Sequence, residues 1–320
     1  MMWCPICREE RELDVRLAAK DWRFSTTDRT FQVIQCRSCQ TAFTWPRLSK
    51  EEQGAYYPKL YHETETIAGS IGIPLQRLLQ RVIAEQRARA AEKLLGLEKS
   101  AITALDIGCG RGDFLRRMSQ RGWHTYGVEP LPALSAPAVE NPPNGSAPII
   151  YRGFVEDVPL QEGFFDVITL WHVIEHIDDP ERMLEQARTA LKDDGLLMIA
   201  VPNFHSLEAR CFGKYWLHLD VPRHLFHFSP ECIWRLLERA GFRVEVQRSS
   251  VLDYPLSLWY SAACAVRVWL GRGISVTGLG GTLVAVATLP VIVLPAVLAR
   301  VYSLFFPGEL IELYCRKTAT

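Results

Sequence analysis

The stretch LDIGCGRGDFL, residues 105–115, decides the fold of this chain. It joins an apolar run to a segment with helical spacing, and three glycines fall within five of its residues: Gly108, Gly110 and Gly112. Without side chains, such a loop lets a ligand lie against bare backbone at the start of a helix. This pattern predicts a binding site at the carboxyl edge of a parallel sheet.

Two acidic residues frame the glycines. Asp106 stands directly before them, and Glu129 ends the next predicted strand, WHTYGVE (123–129). An acid about 20 residues after the loop can accept hydrogen bonds from ribose hydroxyls. Asp106 would repel a pyrophosphate but attract a cationic amino acid. The two acids therefore predict S-adenosylmethionine, which has a ribose and an ammonium group and carries no phosphate.

Strand and helix patterns alternate through the middle of the chain. This alternation predicts a parallel α/β sheet covered on both faces. The predicted strands are 101–107, 123–129, 164–171, 195–202 and 242–250, and the predicted helices are 75–95, 112–122, 180–192 and 229–241.

These motifs resemble those of the class I S-adenosylmethionine-dependent methyltransferases over residues 100–250 and 309–317. LDIGCGRGDFL and YGVEP (126–130) resemble the first two motifs of the family. EDVPLQEGFFDVITLWHVIEHIDDP (156–180) resembles the adenine loop and fourth strand, and LKDDGLLMIAVPN (191–203) the fifth strand. The resemblance implies a Rossmann-like, seven-stranded methyltransferase sheet and methyl transfer. A dinucleotide oxidoreductase or an inactive fold is the alternative.

The resemblance also implies a set of cofactor-binding residues. In many relatives an acid after the third strand contacts the adenine amino group, but here that position lies near Phe154. We therefore expect Phe154 to cover the adenine ring, and Glu156 or Asp157 to have a smaller role. Trp171 is a candidate for cation–π contact with the sulfonium, although a tryptophan at a strand end is more often simply part of the core. The full expected set is Asp106, Gly108, Gly110, Gly112, Glu129, Pro130, Phe154, Val155, Glu156 and Trp171.

Histidines follow the fourth and fifth strands. WHVIEHI (171–177) contains His172, Glu175 and His176, and RHLFHFSP (223–230) contains His224. Each histidine is a candidate general base, since its pKa lies near neutral pH. By resemblance to small-RNA 2′-O-methyltransferases, a second divalent ion near Glu175 is an alternative, as is a purely structural His176. The H-x-x-E-H spacing also matches a zinc-protease motif, but here it follows a strand rather than lying on a helix.

Four of the nine cysteines form two CxxC pairs. Cys4 and Cys7 make the first pair, and Cys36 and Cys39 make the second. Four thiolates can hold one structural Zn²⁺ and leave no open position for chemistry. The pattern predicts a zinc ribbon with its connector over residues 1–60, in a reducing compartment.

The charge balance narrows the classes of partner. Lys+Arg and Asp+Glu both number 36, so no net field favours nucleic acid, and we expect none as a partner. The opening residues show no apolar signal region, which favours a cytoplasmic protein.

An uncharged apolar stretch, 273–299, is long enough to span a bilayer. Yet GELIELYCRK (308–317) resembles the family's last strand, so both ends of the insertion should lie on one side. We expect a monotopic or re-entrant attachment to the cytoplasmic face of a membrane. The alternatives are a second crossing by 255–270, a dimer interface or a lid. The predicted domains after the ribbon are 61–250 for cofactor binding, 251–307 for the insertion and 308–320 for the last strand.

The acceptor is the least determined feature. The CxxC pairs, YYPKLY (56–61) and RHLFHFSP resemble bacterial sugar and glycan methyltransferases, including sugar C-methyltransferases with a zinc-binding amino-terminal domain. This resemblance implies transfer to a hydroxyl or carbon of a sugar, glycan or lipid-linked acceptor. The alternatives are a quinone-precursor O-methyltransferase and a non-catalytic membrane scaffold.

Overall fold

The computed structural model describes residues 3–8, 12–57, 69–96, 102–130, 147–250, 257–269 and 308–318. The chain forms two compact units. The first unit comprises Met1–Arg81, Pro202–Cys232 and Ser249–Ile311. The second unit comprises Val82–Val201, Ile233–Arg248 and Glu312–Thr320.

A seven-stranded sheet forms the second unit. Its strands are β4 (Thr103–Ile107), β5 (His124–Glu129), β6 (Ile149–Arg152), β7 (Phe165–Trp171), β8 (Leu191–Pro202), β10 (Phe242–Ser250) and β11 (Leu310–Lys317). They lie in the order β6-β5-β4-β7-β8-β11-β10. The pairs from β6 to β8 are parallel. The predicted seven-stranded α/β methyltransferase sheet is thus confirmed.

Helix α2 (Gly69–Leu95) precedes β4, and three further helices lie between strands of this sheet along the chain: α3 (Asp113–Gln120), α4 (Pro180–Ala190) and α6 (Pro230–Arg239). Asp179 caps α4 by accepting the backbone N–H of Arg182, and Pro180 occupies the first turn. Small residues of α2, such as Ala88 and Ala91, are fully buried in a core beneath the sheet.

A second sheet lies within the first unit. Its strands β1 (Leu13–Ala19), β2 (Phe31–Cys36), β3 (Ala42–Trp45) and β9 (Phe226–His227) pair antiparallel in that order. The same unit holds α1 (Lys50–Ala55), α5 (Leu207–Phe212) and α7 (Ser257–Trp269). The sequence analysis did not predict β3 or β9, nor β6 of the larger sheet. β9 has two residues and pairs with a strand about 180 residues earlier, so no local pattern marks it.

Most element bounds agree with the sequence patterns. The strand predicted at 195–202 begins earlier, at Leu191, and the helix predicted at 75–95 begins at Gly69. The apolar stretch 273–299 lies outside the described residues. Among the helices that the structure describes, none is long and apolar enough to cross a membrane. The predicted domain bounds remain predictions.

Candidate active site

The candidate site lies at the carboxyl edge of the sheet. The parallel register sets Ile107, the last residue of β4, beside Val128 of β5 and Leu170 of β7. Glu129 pairs with Arg152 at the end of β6. The loops that follow these strands therefore leave the sheet at one edge, where open α/β sheets bind ligands.

Asp106 is buried at this edge. It is 3% exposed, and its Oδ1 accepts a 2.6 Å hydrogen bond from the Thr169 hydroxyl. Burial raises the pKa of Asp106 to about 7, against the opposing effects of the Thr169 hydrogen bond and the Arg87 charge. The nearby Glu129 carboxylate raises it further. A cationic ligand group beside Asp106 would favour the carboxylate form.

The three glycines of the loop have different neighbours. All three have positive φ, at 71° for Gly108, 53° for Gly110 and 67° for Gly112. A Cβ added to Gly108 would lie 2.5 Å from Val173 Cγ2, so packing as well as the positive φ favours glycine there. A Cβ added to Gly110 would meet no atom within 4 Å. The backbone of Gly110 therefore faces open space, as a ligand cradle requires.

Glu129 fixes the same loop. It is 5% exposed, and its Oε2 accepts the backbone N–H of Gly110 at 2.8 Å. Pro130 follows directly and is partly buried. Glu129, which the sequence predicts from its distance to the loop, thus contacts Gly110, which it predicts from the glycine pattern.

The predicted adenine segment lies after β6. Phe154 precedes a short 3-10 helix, Val155–Asp157, and is 43% exposed. Val155 is buried, whereas Glu156 is partly buried. The roles of these residues toward adenine stay predictions.

Trp171, the last residue of β7, already contacts a cation. The Arg87 guanidinium carbon lies 3.8 Å from the centre of its ring, and Phe114 meets it edge-on at 5.7 Å. Arg87 also donates two hydrogen bonds to Glu312 Oε2, at 3.2 and 3.1 Å. Because Arg87 covers one face of the indole, that face is closed to a sulfonium, and the predicted role of Trp171 is limited to its other surfaces.

Sequence reasoning missed three residues at this edge: Arg87, Thr169 and Glu312. Arg87 and Glu312 are 7% and 6% exposed. The available signal was Glu312, the one charge in the otherwise apolar run LIELYC, since buried charges are normally paired. Arg87 lies in a helix with many charges, so its burial had no such signal.

The structure brings His172, Glu175 and His176 together after β7. His172 has a left-handed backbone, with φ 57°, and donates its N–H to the carbonyl of Ala200. Its Nδ1 lies 3.7 Å from Glu175 Oε1. Glu175 is 1% exposed, and neither of its oxygens accepts a hydrogen bond from the described part of the chain. A buried carboxylate of this kind fits a cation or a protonated imidazole.

His224 belongs to the first unit and is 6% exposed. Its Nδ1 donates to the carbonyl of His218 at 2.8 Å. This hydrogen bond places the proton of the neutral ring on Nδ1 and leaves Nε2 as the basic atom.

The four predicted zinc ligands form one cluster. Cys4 Sγ lies 3.5 Å from Cys39 Sγ, and Cys7 Sγ lies 3.6 Å from Cys36 Sγ, with all four sulfurs within 4.8 Å of one another. Sulfurs bound tetrahedrally to one Zn²⁺ at 2.3 Å would lie about 3.8 Å apart. The donor set and spacing therefore fit zinc.

Comparison with known proteins agrees with this geometry. Residues 75–247 match the family described as "Methyltransferase domain", which covers more than half of the chain. The chain is 28% identical over 177 residues to the ubiquinone biosynthesis O-methyltransferase of Methylobacterium sp. (strain 4-46), covering 53% of this chain and 71% of that protein. It is 32% identical over 136 residues to the same-named protein of Haemophilus ducreyi, covering 40% and 54%.

Two solved structures share the fold. The [4+2]-cyclase SpnF aligns with a TM-score of 0.54 at 14% identity, covering 86% of this chain and 98% of that one. The Burkholderia thailandensis 1,6-didemethyltoxoflavin-N1-methyltransferase, solved with S-adenosylhomocysteine, aligns with a TM-score of 0.50 at 13% identity, covering 92% and 97%. At this identity the likeness concerns the fold and not the reaction.

The chain therefore belongs to the methyltransferase-domain family and is a class I S-adenosylmethionine-dependent methyltransferase.

Proposed function

We propose that this chain transfers the methyl group of S-adenosylmethionine to a hydroxyl oxygen of a small-molecule acceptor. The favoured acceptor is a hydroxylated aromatic ring of the kind found in quinone precursors. The names of the curated relatives support this acceptor, since they are O-methyltransferases of ubiquinone biosynthesis. The observation that carries methyl transfer is the open backbone of Gly110, held by Glu129 beside the buried Asp106.

S-adenosylmethionine supplies a methyl group on a sulfonium that is already a good leaving group. We assign Asp106 to its ammonium group and Glu129 Oε1 to its ribose. Pro130, Phe154, Val155 and Glu156 are assigned to its adenine. The protein's task is then to align the acceptor oxygen with the methyl group and to remove a proton.

His172 is the favoured base of the three candidate histidines. The carboxylate of Glu175, 3.7 Å from its Nδ1, would stabilise the imidazolium that forms when the ring takes a proton. His176 and His224 are the other candidates. The second arrangement is a divalent ion held by Glu175 and His176. The Glu175 carboxylate is buried and accepts no hydrogen bond from the described residues, which favours a cation beside it. The ion would bind the acceptor oxygen as a Lewis acid.

Zn²⁺ on Cys4, Cys7, Cys36 and Cys39 has a structural role in this proposal. Four thiolates fill a tetrahedral shell, so the ion stabilises the first unit's sheet and takes no part in methyl transfer.

A sugar, glycan or lipid-linked acceptor is the second candidate. The family match begins at residue 75 and leaves strands β1, β2 and β3 outside it, so the match says nothing of a ligand bound by these strands. For this acceptor we propose that the insertion 251–307 attaches the enzyme to the cytoplasmic face of a membrane. The support is the uncharged composition of 273–299.

A transfer assay tests the acceptor class. Methyl-labelled S-adenosylmethionine is incubated with the enzyme and, separately, with a prenylated catechol, a soluble sugar panel and a membrane extract. Alkali-stable label on the catechol in the organic phase supports the favoured acceptor. Label on sugars or extracted glycolipids, with none on the catechol, overturns it in favour of the second. Sedimentation with vesicles tests membrane attachment, and an enzyme that never sediments contradicts it.

A further inference from the structure

Helix α2 directs an arginine, Arg87, toward one face of the larger sheet. Arg87 lies three residues after Ala84 and four before Ala91, and residues at these spacings share one side of a helix. Both alanines are buried in the same core as Ala104 of β4. Because alternate residues of a strand share a face, Asp106 lies on the same side of β4 as Ala104. Arg87 therefore faces the side of the sheet that carries Asp106.

Strand β7 brings the two charged groups to neighbouring positions. The Thr169 hydroxyl donates to Asp106 Oδ1 at 2.6 Å, and the Arg87 guanidinium lies 3.8 Å from the ring centre of Trp171. Thr169 and Trp171 are two residues apart on this strand, so they share a face and lie roughly 7 Å apart along it. Since Arg87 and Asp106 are both buried, water screens the attraction between them only weakly.

Contacts on two sides fix the position of Arg87. Its Nε and Nη2 donate to Glu312 Oε2 at 3.2 and 3.1 Å, and the Tyr314 hydroxyl donates to the other oxygen of Glu312. The ring of Trp171 covers one face of the guanidinium. A planar guanidinium held by a carboxylate and a ring has one orientation. Its charge therefore stays in one place near Asp106, although Glu312 compensates part of it.

The charge of Arg87 matters because Asp106 titrates near neutral pH. Burial raises the pKa of Asp106 to about 7, and the Thr169 hydrogen bond and the Arg87 charge oppose this rise. The neighbouring Glu129 raises the pKa further. Burial also raises the pKa of the Cys109 thiol in the glycine loop, so this thiol is neutral and adds no charge. Of the charged groups that the structure describes around Asp106, Arg87 is the one that favours its carboxylate form.

We propose that Arg87 is a positioning residue of the cofactor site, whose fixed charge holds Asp106 as the carboxylate that binds the ammonium group of S-adenosylmethionine. Arg87 acts on the cofactor through Asp106. This inference rests on the proposed contact between Asp106 and the ammonium group. It adds to that contact a residue of α2, outside the motifs that mark the cofactor site in the sequence.

Titration calorimetry with two ligands tests this role. S-adenosylhomocysteine carries the ammonium group, whereas 5′-methylthioadenosine has the same ribose and adenine and lacks it. Below pH 7, Arg87→Gln should weaken binding of S-adenosylhomocysteine about tenfold, because losing a nearby opposite charge raises a carboxyl pKa by about one unit. At pH 8.5 the loss should be much smaller, and 5′-methylthioadenosine should bind the variant and the wild-type protein equally. No loss, an equal loss for both ligands, or a loss independent of pH overturns the proposal.

Three further variants keep the test decisive if Arg87→Gln fails to fold. Arg87→Lys keeps the charge and should retain the wild-type pH profile, although an ammonium group does not reproduce the planar contact with Glu312. Arg87→Gln combined with Glu312→Gln leaves neither charge of the buried pair and should also move the profile to higher pH. Arg89→Gln is the matched control, because Arg89 is an exposed arginine of the same helix that pairs with Glu85. An unmoved profile in the double variant, or a moved one in Arg89→Gln, overturns the proposal.

Asp106→Asn separates this inference from the proposed function. Without a carboxylate at this position, adding Arg87→Gln should no longer change how S-adenosylhomocysteine affinity depends on pH. If Asp106→Asn keeps the wild-type pH profile, the proposed contact of Asp106 with the cofactor fails, and this inference fails with it. If Asp106→Asn removes the pH dependence but Arg87→Gln does not move it, only the role of Arg87 fails.

Discussion

Glu129 Oε2 accepts the backbone N–H of Gly110 at 2.8 Å, so the acid that ends β5 fixes the loop that follows β4. The two residues are 19 apart in sequence, and the strands that they follow or end, β4 and β5, are parallel neighbours. The Glu129 carboxylate therefore holds the cofactor loop in place and, in our proposal, also accepts hydrogen bonds from the ribose of the cofactor.

Replacing Glu129 tests that double role. Glu129→Ala should weaken S-adenosylhomocysteine binding by at least tenfold, because hydrogen bonds to a charged group contribute about 1.5–3 kcal/mol. Glu129→Gln keeps an acceptor for Gly110 and should lose less. Titration calorimetry measures both affinities, and unchanged binding by the alanine variant would remove Glu129 from the cofactor site.

Two glycines of the loop offer a matched pair. Gly108→Ala places a Cβ 2.5 Å from Val173 Cγ2, so it should lower thermal stability through overlap as well as through backbone strain of about 1–3 kcal/mol. Gly110→Ala meets no protein atom and carries only the strain. We expect Gly108→Ala to unfold at the lower temperature. Relative to the thermal stability that each variant loses, Gly110→Ala should lose more cofactor affinity than Gly108→Ala. The reverse ranking of the two variants would contradict the proposal that the backbone of Gly110 binds the cofactor.

Asp106 should make cofactor binding depend on pH. Its pKa of about 7 is raised mainly by burial, with Glu129 adding to the rise and Arg87 opposing it. A cationic ligand binds the carboxylate form, so affinity should be constant above pH 7 and fall by up to about tenfold per pH unit below it. Asp106→Asn should bind weakly at every pH. Calorimetry between pH 5.5 and 8.5 checks this, and identical pH profiles for both proteins would refute it.

Glu208 and Glu309 contact the same serine hydroxyl in the first unit. Glu208 accepts hydrogen bonds from Ser257 at 3.0 Å and from Ser261 at 2.7 Å, and Ser257 also contacts Glu309. Ser257 has one hydroxyl proton for two carboxyl groups, so its second contact requires a protonated carboxyl. Burial and the neighbouring Glu309 raise the pKa of Glu208 to about 9.

This proton links stability to pH. The folded pKa of Glu208 exceeds its ordinary value of 4.5, so the folded chain holds a proton that the unfolded chain lacks between these values. The free energy of unfolding should therefore fall with rising pH across this window, by about 1.4 kcal/mol per unit at most. Glu208→Gln mimics the protonated carboxyl and should flatten the decline. Thermal unfolding from pH 5 to 9 measures the difference, and parallel curves would contradict a raised pKa of Glu208 in the folded chain.

The local features of the site could be predicted from the sequence, and the distant ones could not. The loop 105–115 and Glu129 follow from backbone limits and strand spacing within a short segment. The pair of Arg87 with Glu312 joins residues 225 apart, and no local pattern encodes such a contact. Strand β9 escaped prediction for the same reason, since it is defined by its pairing with β3.

Metal removal tests the cysteine cluster. Zinc analysis of the purified chain should find one Zn²⁺ per chain, and Cys39→Ser should lose it and destabilise the first unit's sheet. Cys211→Ser is the control, because Cys211 is exposed and lies outside the cluster. A zinc-free wild-type protein of equal stability would contradict a structural metal.

The most direct measurement is the fate of the methyl carbon. The enzyme is given ¹³C-methyl S-adenosylmethionine with its best acceptor, and the product is examined by carbon NMR, which distinguishes a methyl ether from a C-methyl group. The account predicts a methoxy signal that depends on Asp106 and Glu129. A C-methyl signal would contradict transfer to oxygen, and the absence of any labelled product with every acceptor class would contradict the proposed reaction.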